Sequence, residues 1–467
     1  MAFTSLTFGI FLPLVFALYW ALRHRLCYQN VLIVVASYIF YGWWDWRFLS
    51  LIAITSAASY ASGIALSHFD KRPRTRRIIT ISNIVLNLGI LGVFKYFNFF
   101  AESFSCLLTA FGLKADTPTL NLILPVGISF YTFQALSYTI DVHRRQLKAT
   151  RDIVAFFAYI SFFPQLVAGP IERATHLLPQ MLQPRTFNHT IAVDGLRQML
   201  WGFFKKMVVA DTCAMAVDII WQSPGEQSAL VLAIGAFLFA IQIYGDFSGY
   251  SDIAVGCAHL FGIDLMQNFR TPYFSRSLAD FWRRWHISLM TWLRDYVYIP
   301  LGGSHCSRKL QLRNTLVVFL LSGLWHGAAW TFILWGLYHG LLVSVEKALF
   351  GRKSSVLQLP LTFLLVCIGW IIFRADNLQT LMDYLTGLTY LETFTDIHSL
   401  TMGKTAILWS VFLLAAEWLG RKGRHALDLT NRGILSYTAV RWAVYYLLLI
   451  LIVFWHGEQQ TFIYFQF

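Results

Sequence analysis

A chain of 467 residues with 57% hydrophobic, 17% aromatic and only 13% charged side chains is poorly suited to water, because soluble domains carry roughly 25% charged residues to build a wet surface. The formal net charge of +13 is dispersed in short clusters between apolar runs, so it marks membrane topology rather than a nucleic-acid surface. With a mean hydropathy of +0.55, these figures exclude soluble, disordered and fibrous classes and predict a polytopic membrane protein.

A spanning helix needs roughly 20 mostly apolar residues. Candidate runs lie near 5–22, 30–44, 49–67, 78–100, 119–140, 152–168, 191–222, 228–247, 312–330, 332–350, 355–373, 404–419 and 438–455. Not every run need cross the bilayer. The expected fold is an all-α integral membrane protein with about 11 or more spanning helices plus re-entrant or interfacial ones. The first run, Ser5 to Leu22, has no basic stretch before it and no small-residue cleavage site after it, so it is expected to remain as a span. The six cysteines (27, 106, 213, 257, 306 and 367) lack CxxC spacing and mostly sit in apolar context. They read as small hydrophobes, not as a disulfide framework or a zinc site. There is no convincing internal repeat, which weakens an inverted-repeat transporter reading.

Basic clusters set the orientation. Arg23 and Arg25 follow the first run, Lys71, Arg72, Arg74, Arg76 and Arg77 the third, and Arg144, Arg145, Lys148 and Arg151 the fifth. The loop at 101–118 holds Glu102, Lys114 and Asp116 without basic excess. By span parity these loops agree with an extracytoplasmic N-terminus.

Taken in chain order, four segments carry polar chemistry. In Leu124 to Asp141 and Phe162 to Arg173, Pro125, Gly127, Pro164, Gly169 and Pro170 interrupt apolar text. Broken helices at membrane depth must face protein or a cavity, where Gln134, Gln165 and Glu172 would form polar walls; a plain proline kink is the competing reading. Tyr244 to Asp252, YGDFSGYSD, followed by Asn268 to Tyr273, NFRTPY, reads as a short capped loop that positions the charged helix beyond it. The stretch Gly245 to Gly303 also holds Asp246, Asp252, Asp264, Asp280, Arg283, Arg284, His286, Arg294 and Asp295. Charges facing lipid are costly, so this region should fold inside protein or line water.

Asp280 to Gly303 is expected to be helical, with local pairs among Asp280, Arg283 and Arg284 and between Arg294 and Asp295. Its alternatives are a wet ligand border or an interfacial amphipathic helix. In Ser322 to Gly340, SGLWHGAAWTFILWGLYHG, His326 follows Trp325 among small residues. An imidazole there is a functional candidate, with a packing histidine as the alternative; His339 reads as structural. HExxH, Walker A, GxGxxG and GxSxG motifs are all missing, so zinc-protease, kinase, dinucleotide and serine-elbow chemistries lose support.

These residues resemble the membrane-bound O-acyltransferase family, in particular its bacterial branch of alginate O-acetylation, peptidoglycan O-acetylation and teichoic acid D-alanyl transfer proteins. The resemblance rests on LPVGISFYTFQ at 124–134, FFPQLVAGPIER at 162–173, DFSGYSDIA at 246–254, NFRTPY at 268–273, FWRRWHISL at 281–289, WLRDYVYIPLGG at 292–303 and GLWHGAAWTFILWG at 323–336. It covers about the central half of the chain.

The resemblance implies a single domain over 1–467, with N-terminal helices at 1–118, a catalytic core of broken helices at 119–340 and C-terminal helices at 341–467, around a central tunnel. His326 matches the essential histidine and His286 a second, branch-restricted one. Trp325, Gln165, Asp295, Arg283, Arg284 and Asn268 are expected along the substrate path, and no metal or redox cofactor is expected.

The implied activity is transfer of an acetyl group from acetyl-CoA, the cytoplasmic donor, to hydroxyls of an extracytoplasmic polysaccharide. It would occur in the bacterial inner membrane, with a separate esterase-like acetyltransferase partner. The residues do not separate alginate, peptidoglycan, cellulose or another exopolysaccharide as acceptor. The alternatives are D-alanyl transfer from an acyl carrier protein to teichoic acid, a transporter of an acyl donor or lipid-linked glycan using the histidines as a proton relay, and a scaffold for polymer export.

Overall fold

The computed structural model describes residues 1–113, 119–120, 122–350, 358–389, 397–431 and 433–465. Residues 114–118 of the loop expected to be external lie outside the described residues. Among the described residues every regular element is helical. Four stretches are long and apolar enough to cross a membrane: Leu26–His68, Pro73–Ala110, Ala229–Leu260 and Trp330–Leu349. Shorter apolar helices are Leu6–Ala21, Gln358–Arg374 and Thr438–Phe454.

Two compact units emerge, one of residues 1–192 with 258–266, the other of 193–257 with 267–467. The first contains α1 (Leu6–Ala21), α2 (Leu26–Asp45), α3 (Leu49–His68), α4 (Pro73–Leu91), α5 (Phe97–Ala110), α6 (Ile128–His143), α7 (Ile153–Ser161), α8 (Phe163–Leu166) and α9 (Ala174–Met181). Along α1, Leu6, Ile10, Leu14 and Leu18 are exposed while Phe8, Leu12, Val15 and Tyr19 are buried. The four-residue spacing puts the exposed set on one apolar face, as lipid contact requires.

Lipid gives helices no hydrophobic reason to associate, so close packing and polar bonds must hold them. Gly63 of α3 shows the first: a Cβ there would strike the Tyr138 side chain of α6. Arg76 shows the second, donating to the carbonyls of Leu66, Val142 and His143. With Arg145 paired to Asp70 at 3.2 Å, the basic loops after α3 and α6 meet at one end of the unit. Gly127, at φ 73, starts α6 in a conformation that other residues rarely adopt.

The second unit holds most of α10 (His189–Phe203), then α11 (Asp211–Gln222), most of α12 (Ala229–Leu260), α13 (Leu278–Arg284), α14 (Ile287–Leu293), α15 (Arg308–His326), α16 (Trp330–Phe350), α17 (Gln358–Arg374), α18 (Leu378–Gly387), α19 (Ile397–Gly420) and α20 (Thr438–Phe454). Two expectations are corrected here. Tyr244–Asp252 is not a capped loop but the middle of the 32-residue helix α12. Its glycines permit helix contact instead of a turn: a Cβ on Gly249 would stand 2.8 Å from the Gly202 carbonyl oxygen, and one on Gly256 would strike that of Gly195. The run 280–303 is not one helix either, because α13 ends at Arg284 and α14 restarts at Ile287.

The run at 191–222 is also interrupted, by a π turn at Phe204–Ala210 between α10 and α11. That turn carries Lys205 and Lys206, both buried. Lys205 Nζ lies 2.5 Å from Asp252 and donates to Ser248 Oγ at 2.9 Å. Lys206 Nζ lies 2.8 Å from both Asp211 and Asp246. Buried charges are tolerated only when paired in this way.

Candidate active site

The two histidines expected to do chemistry converge, although 40 positions separate them. His286 occupies the break between α13 and α14 with φ 44, a left-handed conformation that costs a side-chain-bearing residue roughly 1–3 kcal/mol. The segment after α12 enforces it from both sides. Arg270 N–H donates to the Arg284 carbonyl at 3.0 Å, and Ile287 N–H to the Asn268 carbonyl at 2.9 Å. The Asn268 side chain accepts from Ser288 Oγ at 2.6 Å and donates to Ser251 Oγ at 3.2 Å. Glu346 of α16 fixes the start of α13, accepting from Leu278 N–H at 2.8 Å and Ala279 N–H at 3.1 Å.

His326 is the last residue of α15, and its Nδ1 lies 2.6 Å from the Ser322 carbonyl. A carbonyl only accepts, so Nδ1 carries the proton and Nε2 is the basic nitrogen. α15 and α16 pack backbone to backbone around this point: a Cβ on Gly323 would strike the Phe332 carbonyl oxygen, and one on Gly336 that of Phe319.

Trp325 lies beside both imidazoles, its ring 4.9 Å from His326 and 5.5 Å from His286, which are 6.4 Å apart. Trp335 at 5.0 Å, Phe373 at 5.4 Å and Tyr464 at 5.6 Å also surround His326. Phe247 meets His286 edge to face at 4.7 Å. Both histidines are buried. The result is a basic nitrogen in an aromatic cage, suited to proton transfer away from bulk water.

Of the other residues expected along the substrate path, Trp325 is in the cage and Asn268 braces the His286 turn. Arg283 and Arg284 pair with Asp280 at 3.5 and 3.0 Å, and Arg294 with Asp295 at 2.7 Å, the local pairs foreseen from the sequence. Exposed pairs of this kind are worth about 0–1 kcal/mol. Gln165 belongs to the first unit, where its Nε2 donates to the Tyr159 carbonyl at 2.9 Å alongside Gln134 at 2.6 Å. His339 is buried against Trp282 and Trp335.

Tyr464 went unnoticed in the sequence. It follows the last apolar run in a short aromatic stretch, a weak signal whose meaning depends on folding back.

Two clefts flank the second unit. One, a narrow cleft with a free volume of about 30 Å³, is lined by Lys205, Asp252, Asn268, Arg270, Arg421 and Arg424 among others. The other, about 800 Å³ and open, includes Asp218, Trp221, Glu226, Arg374, Asp376 and Asp383. Glu226 precedes the first residue of α12, while Tyr244 and Asp252, which both line the first cleft, lie farther along it, so the clefts are about 22–35 Å apart at 1.5 Å per residue. Phe373, in contact with His326, is the neighbour of Arg374. Among the described residues no group of three or more His, Cys, Asp or Glu side chains is disposed to hold a metal ion.

Comparison with known proteins gives a family match: the description of the membrane-bound O-acyltransferase family fits residues 39–374. A Pseudomonas aeruginosa protein named "Probable alginate O-acetylase AlgI" is 43% identical over 391 residues, 81% of this chain and 73% of that protein. The peptidoglycan O-acetyltransferase of Helicobacter pylori is 34% identical over 85% of this chain and 81% of its own length. The teichoic acid D-alanyltransferase of Bacillus subtilis is 29% identical over 55% of this chain and 70% of its own.

Proposed function

We propose, from the premise that this chain belongs to the membrane-bound O-acyltransferase family and is a membrane-bound O-acyltransferase, that it carries an acetyl group from cytoplasmic acetyl-CoA to hydroxyls of an extracytoplasmic polysaccharide. The observation that carries this reading is the His326–His286 pair in its aromatic cage, with His326 Nδ1 committed to the Ser322 carbonyl and Nε2 thereby basic. The relatives named for O-acetylation match this chain more extensively than the D-alanyltransferase does, which favours acetyl over D-alanyl as the group moved.

Donor and acceptor chemistry are separated by about 30 Å of hydrocarbon, and the two clefts span a comparable distance. Arg270, Arg421 and Arg424 line the basic cleft, which supports reading it as the cytoplasmic mouth, since basic residues concentrate on that side. Guanidinium groups there suit the phosphates of coenzyme A. The acidic cleft beside Phe373 would then open outward. A tunnel joins the mouths in this reading, within a bundle of about 11 spans in the inner membrane and with an extracytoplasmic N-terminus. An esterase-like partner outside passes the acetyl group to the polymer.

In the transfer step, His326 Nε2 takes the proton of the attacking hydroxyl as its oxygen bonds to the thioester carbonyl carbon. The C–S bond then breaks, and the proton moves from Nε2 to the departing sulfur with His286 alongside. Base catalysis of this kind supplies about 10²–10⁴-fold.

A second route is favoured by the contact between His326 and Tyr464, whose buried hydroxyl has no hydrogen-bond partner among the described residues. The tyrosine ring stands beside the base with its hydroxyl uncommitted; in this route that hydroxyl turns to within hydrogen-bond reach of His326 Nε2, gives up its proton there, takes the acetyl group first and passes it on. The mass of the peptide bearing Tyr464 after incubation with acetyl-CoA distinguishes the routes.

The reading is tested with purified protein in sealed vesicles carrying acetyl-CoA. Acyl transfer predicts free thiol on the donor side and acetyl ester on an acceptor opposite. Intact acetyl-CoA moving across without thiol release would instead identify a transporter.

A further inference from the structure

The segment after α20, Gly457 to Phe465, returns to the interior of the second unit and is held there at three points. Gly457 N–H donates to the Met207 carbonyl in the π turn at 3.0 Å. The Gln460 carbonyl accepts from Lys206 Nζ at 3.1 Å, and Ile463 N–H donates to Asp246 Oδ2 at 2.7 Å. Lys206 is shared by Asp211 and Asp246, each at 2.8 Å, and all three are buried. Beyond this clasp, Phe462 packs on Tyr250 at 4.8 Å, and Tyr464 on Phe247 at 4.5 Å and on His326 at 5.6 Å. There is no room for drift at the first point, because a Cβ on Gly457 would stand 2.7 Å from backbone atoms of Asp211 and Thr212.

A lysine shared by two carboxylates leaves an excess negative charge and spare carboxylate lone pairs in a buried place. Such groups are costly unless hydrogen-bonded. The returning segment contributes an N–H to one carboxylate and a carbonyl to the ammonium group. The π turn that aims Lys206 also presents the Met207 carbonyl; such bulges recur at functional sites.

We propose that Lys206, Asp211 and Asp246 are positioning residues for acyl transfer: they clasp the segment Gly457–Phe465 so that Tyr464 is held against His326. This rests on the acyltransferase reading above and extends it to residues that lie outside the aromatic cage. The clasp acts through Tyr464, so losing it leaves donor binding intact and slows the step in which the base works.

The test attacks the segment from its own side, leaving the clasp and cage unaltered. Gly457→Ala displaces the first point, and Ile463→Pro deletes the N–H given to Asp246 at the first position of a helical turn, where proline is tolerated. Asp246→Asn tests the clasp itself. Thiol release from acetyl-CoA should lose about tenfold or more in kcat in each variant, since small displacements in a reacting site cost up to about 10²-fold, with the KM for donor changed less than about twofold.

In a Tyr464→Phe background the same changes should add less than about twofold, because residues acting in one chain are non-additive. Cleavage within the segment by chymotrypsin, which cuts after aromatic residues such as Phe462 and Tyr464, followed by intact mass, should accelerate in Asp246→Asn. Wild-type kcat in Gly457→Ala and Ile463→Pro would overturn the proposal. So would an unreduced effect in the Tyr464→Phe background, which would mark a general folding defect, or a silent Tyr464→Phe. If the wild type releases no thiol from acetyl-CoA, the donor assignment is what fails. Protection from chymotrypsin then decides the clasp, with a segment equally exposed in wild type and Asp246→Asn counting against it.

Discussion

Gly323→Ala tests whether the backbone contact between α15 and α16 sets the position of the base. Gly323 follows Ser322, whose carbonyl holds His326, and a methyl group there would meet the Phe332 carbonyl oxygen on α16, its carbon at 3.1 Å and Gly336 N at 3.4 Å. Carbon contacts are comfortable at about 3.5–4.0 Å, and the obstacle is backbone, so the helices must part by about 1 Å. Overpacking of this kind costs about 1–3 kcal/mol, against which alanine recovers about 1 kcal/mol of helix propensity. The net loss of stability is therefore small, about 0–2 kcal/mol. A displacement of about 1 Å at the base is far more damaging to rate, at about 10²-fold.

Thiol release at saturating donor, read beside thermal melting in the same detergent, separates the two quantities. Gly89→Ala in α4, where a Cβ meets nothing within 4 Å, is the control and should change neither rate nor melting by much. A fully active Gly323→Ala, or a loss of rate that merely follows the unfolded fraction, would refute the reasoning.

Two further outcomes arise from buried and peripheral charge. Lys205→Met leaves Asp252 and Glu417 without the cation 2.5 and 3.9 Å away and should cost about 3–5 kcal/mol; adding Asp252→Asn should restore part of the melting temperature, and no restoration would discredit the pairing. In the first unit, Asp264 and then Glu172 hold the His176 imidazolium, raising its pKa to about 10, while His176 and His259 hold the Asp264 carboxyl below its ordinary range. The His176 contribution is complete below its ordinary value near 6.5 and is lost as pH climbs through about 10. The Asp264 contribution is complete above 3.8 and is lost as pH falls below it. Melting temperature should thus be level between about pH 4 and 6.5, decline from about pH 6.5 to 10 and level off above that, and His176→Gln should flatten that decline. An unchanged alkaline limb in His176→Gln would contradict the assignment.

Much of the helical plan was legible because apolar runs of spanning length are dictated by the bilayer alone: the runs at 5–22, 332–350 and 438–455 coincide closely with α1, α16 and α20. Local opposite-charge pairs around Asp280 and Asp295 were legible for the same reason, being fixed by helical spacing. What failed was inference from small residues. In water, YGDFSGYSD suggests a turn; inside this unit Gly249 and Gly256 let α12 approach α10, so the same residues extend a helix. The chemistry of His326 could be suspected from its apolar neighbours, but its proximity to His286 depends on a left-handed break held by Asn268 and Arg270, and no periodicity encodes that. Tyr464 was missed because its partner lies 138 positions earlier and its own surroundings are a brief aromatic stretch.

The most direct measurement is single-turnover thiol release from acetyl-CoA by purified wild type and His326→Gln, with folding verified by melting. The variant should be slower by about 10²–10⁴-fold with donor affinity retained. Equal rates in the two proteins would contradict a catalytic base at position 326.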